Sequence, residues 1–223
     1  LYEACKIWYF CGMTLFLIVG MPVFFIALLH LFFSGSFYGR ELVAPLGIGA
    51  LWFFPFCLLY ALFANFVPLV YGGTAFYFSR TALDLAFPLL FCIITGLVTC
   101  RRQRGSCKEF FLHLTAFFTG FFMLFAQYVR IAFPEWYAEY MYFLLPLLWM
   151  ALSVCAAFLV PLIYSVPGVL RFALVVILAA LPFAMGVVPY LYAMNYGIAS
   201  WILTGVFFAA ALLLVWRVPP REN

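Results

Sequence analysis

Long apolar runs alternate with short polar connections along the whole chain. A bilayer's hydrocarbon core of about 30 Å is crossed by roughly 20 apolar residues of helix. Seven runs of that length lie between charges or turn residues, at about 8–33, 43–66, 82–100, 109–132, 140–164, 168–190 and 197–217. The runs are continuous, without the period-two alternation that a barrel strand needs to keep its lumen side polar, so each predicts a helix. The expected fold class is all-α: a polytopic transmembrane helical bundle of about seven spans, forming a single domain over residues 1–223. The second span has the least defined end. From Leu42 to Ser79 no residue is charged, too long for one upright helix, so a tilted or broken helix with a re-entrant tail through Val67 to Phe78 is the alternative. The chain opens on Leu1, and its first run is longer than a signal-peptide core, so 8–33 is expected as a retained span. At the other end, Trp216-Arg217 followed by Pro219-Pro220 reads as an interfacial stop, with no soluble domain.

The connections set the direction, because Lys and Arg accumulate on the cytoplasmic side. The third connection carries Arg101, Arg102, Arg104 and Lys108 within eight residues. Placing it inside also brings Arg40, Arg171, Arg217 and Arg221 inside and leaves Lys6, Arg80 and Arg130 outside, which predicts an external N-terminus and an internal C-terminus. The same cations are expected to meet anionic lipid headgroups or an acidic partner surface. Under this assignment all 14 tyrosines except Tyr38, Tyr60 and Tyr164 fall at or near the outer interface, more lopsided than an aromatic belt, which forms on both sides.

Composition agrees with the pattern. The 223 residues are 70% hydrophobic, 22% aromatic and 8% charged, against roughly 45–50% apolar and about 25% charged in soluble domains. A water-soluble globule and a nucleic-acid-binding protein are both excluded. An integral membrane protein, of the plasma (inner) membrane, is the expected class. The seven cysteines show no metal-ligand spacing, and Cys57, Cys92 and Cys155 fall inside apolar runs as packing residues. Cys5 with Cys11, and Cys100 with Cys107, are the pairs close enough in sequence to bridge. No metal and no cofactor is expected.

Charges near the spans are the candidates for chemistry. Thr81-Ala82-Leu83-Asp84 has the form of a capping box before an apolar run, and Ser106-Cys107-Lys108-Glu109 repeats it before the next. Pro134, Glu135 and Glu139 fit the first turns of the fifth span. Arg80, Asp84, Arg130, Glu135 and Glu139 are thus expected at one level, the outer interface. With Tyr140 and Tyr192 they form a candidate mixed-sign site for a zwitterionic or hydroxylated ligand; the alternative is a network of caps and ion pairs tying helix ends together. On these boundaries no ionisable residue lies near the centre of a span, which argues against a carboxylate proton relay. The seventh span has no lysine for a retinal Schiff base. His30 and His113, toward cytoplasmic ends, have no acid or nucleophile at a motif spacing, so neither a catalytic residue nor an enzyme is expected.

Prolines interrupt five of the spans. Each removes a helix hydrogen bond, and Gly20, Pro22 and Pro55 are the candidate hinges. Thr115, Thr119, Gly120 and Gln127 make the most polar stripe, and Gly205-x-x-x-Ala209 and Ala180-x-x-x-Ala184 are small-residue pairs suited to close helix approach. These features together predict a transporter, permease or membrane subunit of a transport complex for a small amphipathic or lipid-like substrate. A seven-span sensory module signalling through a partner and a non-catalytic assembly subunit are the rivals.

Overall fold

Six helices account for nearly all the structure in a computed structural model that describes residues 39–67, 73–100, 107–132 and 144–217. They are α1 (Gly39–Phe66), α2 (Gly73–Cys100), α3 (Cys107–Ala132), α4 (Leu145–Ser165), α5 (Gly168–Ala193) and α6 (Gly197–Arg217). All six are long and apolar enough to cross a membrane. No strand occurs among the described residues. The expected run at 8–33 lies outside them.

Five of the helices follow the apolar runs closely, and α2 does not. The sequence places its start at 82, taking Arg80 as an interfacial charge; in the structure the helix begins at Gly73 and buries Arg80. Residues 73–78, part of the stretch considered as a re-entrant tail, are therefore its first turns. Helix α2 is α-helical over Gly73–Thr81, π-helical over Ala82–Ala86 and α-helical again over Phe87–Cys100.

Helix α3 is the centre of the bundle. Its apolar window is 78% buried, against 28% for α1 and 22% for α6, which lie at the edges. It packs on α1, α2 and α4, while α4 packs on α3, α5 and α6. Lipid tails are as apolar as leucine, so helices in a membrane associate through close packing and not through exclusion of water. Two devices supply it here. At the α1–α3 crossing a Cβ on Gly49 would fall on the Phe117 carbonyl, and one on Gly120 on the Leu46 carbonyl, so the two backbones touch where both side chains are missing. Beside this crossing, Phe56 of α1 meets Phe91 of α2 at 5.0 Å and Phe121 of α3 at 4.9 Å, and Phe125 meets Trp149 of α4 at 5.1 Å between ring centroids. Tilted and edge-on rings at these separations are the favoured aromatic geometries.

The polar stripe of α3 is a packing face. Thr115 and Thr119 are buried and donate to the carbonyls of Phe111 and Thr115 in their own helix. The small-residue pairs of α5 and α6 are exposed: Ala180, Ala184 and Ala209 face outward, and nothing lies within 4 Å of a Cβ built on Gly205. The close approaches occur instead at Gly49–Gly120 and at Gly186, where a Cβ would fall on the Thr81 hydroxyl. Among the described cysteines, Cys92 and Cys155 are buried packing residues, and Cys100 and Cys107 are both free.

Candidate functional site

Arg80 and Asp84 are one helical turn apart on α2, only 4% and 0% exposed, with Nη1 and Oδ1 3.6 Å apart. At 1.5 Å per residue α2 is about 42 Å long and Asp84 lies about 16 Å from its first residue. With a hydrocarbon slab of about 30 Å centred on the helix, the carboxylate sits about 10 Å inside it. The expectation that no ionisable group lies near the middle of a span is therefore corrected: moving the start of α2 from 82 to 73 carries both charges inward. The capping reading of Thr81 and Asp84 fails for the same reason. Thr81 is fully buried in mid-helix and makes no side-chain cap bond.

The local backbone departs from α-geometry at this place. The Phe87 amide donates to the Ala82 carbonyl across the π segment, and such segments are frequent at functional sites. The indole Nε1 of Trp149 reaches across from α4 and donates to the Asp84 carbonyl at 2.9 Å. Arg80 lies over the Phe76 ring with its Cζ 6.0 Å from the centroid, a cation–π arrangement that offsets part of the desolvation of the guanidinium. Neither carboxylate oxygen of Asp84 makes a hydrogen bond, nor do the buried hydroxyls of Tyr60 on α1 and Thr81. Tyr60 lies within electrostatic reach of both charges. A buried ion pair repays its desolvation only when its remaining lone pairs and protons are satisfied, and the lone pairs of this carboxylate are not.

Immediately below the pair the α2–α5 seam opens. Its closed end is held by the Tyr77 hydroxyl donating to the Phe183 carbonyl, by Tyr77 against Tyr190 at 5.9 Å, and by Gly186 against Thr81. The upper half of α5 is packed here, with Pro182, Met185, Gly186, Val188 and Pro189 buried. Over the lower half only Leu174 is buried. Pro182 removes the amide that would bond to Leu178, at the point where α5 leaves the bundle. Between the diverging helices is a crevice of about 330 Å³. Ala86, Leu89, Leu90 and Ile93 of α2 form one wall, and Val175, Leu178, Ala179, Pro182 and Phe183 of α5 the other. Leu90, Val175 and Phe183 are 56%, 45% and 40% exposed, so the crevice opens sideways.

Of the other expected site residues, Tyr192 is half-buried near the end of α5, packed against the core, and Lys108 is half-buried in the first turn of α3. Pro55 lies inside a continuous α1 on an exposed face. The side chain of Arg130 and all of Glu135, Glu139, Tyr140, Gly20, Pro22, Arg101, Arg102 and Arg104 lie outside the described residues. Sequence reasoning missed Tyr60, Thr81, Trp149, Pro182 and Gly186 as parts of this region. The one usable signal was the spacing of Arg80 and Asp84, which on a helix places opposite charges on one face.

This architecture defines a multi-pass helical membrane protein. Comparison with known proteins adds no narrower class: no family model, no curated protein and no solved structure matches the chain.

Proposed function

We propose that the protein is a membrane carrier, or the membrane subunit of a transport assembly, for a small amphipathic or lipid-like molecule, and that the α2–α5 seam is its working part. The observation that carries this reading is the presence of two unlike environments on one helix. An apolar crevice open to the membrane lies along α2 and α5, and the same α2 carries, one to two turns before the crevice wall, a buried ion pair whose carboxylate has no hydrogen bond. The crevice suits the hydrocarbon portion of a substrate, and the pair beside it is a polar group inside the helix that forms one wall. Pro182, buried in the crevice wall inside the continuous α5, removes one helix hydrogen bond there, a local weakening of the kind that transporters use at hinges. The reading is non-enzymatic, with the basic connection from Arg101 to Lys108 on the cytoplasmic side by the charge rule.

An assembly subunit is the second reading, favoured by the exposed Gly205 and Ala209 on α6, a face suited to a further helix. Flux separates the two. The protein, purified with whatever subunits remain bound, is placed in liposomes carrying anionic, zwitterionic or cationic short-chain fluorescent lipids. Dithionite is then added outside. A carrier exposes inner-leaflet probe of at least one class to bleaching; inner-leaflet protection equal to that of protein-free vesicles for all three overturns the transport reading.

A further inference from the structure

We propose that the α2–α5 crevice holds an acyl chain of an anionic, phosphate-headed membrane lipid, whose head is received by Arg171. The proposal rests on the carrier reading and names its substrate class.

The α5 wall carries the argument. Arg171, Val175, Leu178 and Pro182 are spaced by four, three and four residues, so they lie along one face of the helix. The last three line the crevice, and Arg171 continues their row one turn toward the beginning of α5. Arg171 is exposed, three residues from the first residue of the helix, while Val175 to Phe183 run from about 10 to about 22 Å along it. A cation at the interfacial end of an apolar slot that reaches toward the bilayer centre matches a lipid in both polarity and direction. The Arg171 arm is also held in place. Its Nε donates to the Ile163 carbonyl at 3.0 Å, in the last turn of α4, and to the Val166 carbonyl at 3.1 Å, just after that helix. The guanidinium has four further donors on its Nη atoms, in the planar fork that suits phosphate oxygens.

The volume fits as well. About 330 Å³ is at the lower end of the range of small-molecule sites, about 300–1,000 Å³, enough for part of one chain but not for a whole phospholipid. The wall chemistry selects hydrocarbon, since every lining residue is aliphatic, aromatic or proline.

Photolabelling in vesicles tests the assignment. The full chain is placed in phosphatidylcholine vesicles containing a trace of phosphatidylglycerol with a diazirine on one acyl chain, or the same diazirine chain on phosphatidylcholine. Labelled peptides are then mapped. The expected result is labelling of the segments 86–93 and 175–183 about fivefold higher with the anionic lipid, the preference that one basic residue near the surface confers. The α6 segment around Ile202 and Val206, exposed and outside the crevice, should label equally with both. Arg171→Gln should remove the head preference, and Ala179→Trp or Leu90→Trp, from opposite walls, should remove the crevice labelling. Equal labelling of crevice and α6, or crevice labelling indifferent to the head and to Arg171, overturns the proposal. The bleaching assay reads the carrier function separately. Selective labelling without flux leaves the lipid site standing and removes transport, whereas flux without selective labelling does the reverse.

Discussion

Gly120→Ala lowers the stability of the bundle by about 2 kcal/mol, although alanine is the better helix former by about 1 kcal/mol. The new methyl group meets the Leu46 carbonyl, which is backbone and has no rotamer to move into. Helix α1 must therefore withdraw from α3, and the packing of Phe56 on Phe121 loosens with it. Gly49→Ala acts in the same way against the Phe117 carbonyl. The double variant costs less than the sum, because one separation relieves both overlaps. Gly47→Ala and Gly205→Ala are the controls: both positions face open space, so each should be neutral or slightly stabilising. Unfolding in detergent, followed by tryptophan fluorescence, orders the five variants.

Asp84→Ala has the larger effect, a loss of about 3–5 kcal/mol, because it leaves the Arg80 guanidinium buried without its carboxylate. Replacing both residues with apolar ones of similar volume, Arg80→Met with Asp84→Leu, should return stability to the wild-type level or raise it by about 1–4 kcal/mol. The same unfolding assay measures both. The double variant also isolates function from folding. If the pair serves transport, this stable protein carries no lipid probe in the bleaching assay; a stable protein with undiminished flux would reduce the pair to a structural element.

The long helices are legible in the sequence because a membrane imposes length and polarity on each one. Helices α1 and α3 to α6 needed nothing more than their apolar runs. The start of α2 was not legible, because reading a charge as a membrane boundary assumes that water solvates it. Arg80 is instead met by Asp84 and the face of Phe76, one turn away on either side in the same helix, so its partners are local once the helix is allowed to run through it. The crossing glycines were hidden for a different reason. Gly120 shows that a neighbour can come close without saying which, and Gly49 is its counterpart only after α1 and α3 are aligned. Gly205-x-x-x-Ala209 has the better motif and no contact, since small residues permit an approach and do not compel one. The π segment over Ala82–Ala86 left no mark in composition, and the crevice depends on α5 diverging from α2, a relation between two helices whose first residues, Gly73 and Gly168, are 95 apart in the chain.

The central claim is that α2 and α5 are closed beside the Arg80–Asp84 pair and open below it. Cysteine cross-linking in membranes tests it most directly, in a background where the seven native cysteines are replaced. Tyr77→Cys with Tyr190→Cys probes the closed end, where the native rings are 5.9 Å apart. Leu90→Cys with Val175→Cys probes the two walls of the crevice. The account predicts that a short bismaleimide joins the first pair efficiently, while the second pair needs a longer linker. Equal, efficient joining of both pairs by the short reagent would mean that the helices run side by side with no crevice between them, and failure at the closed end would mean that α2 and α5 are not packed together there.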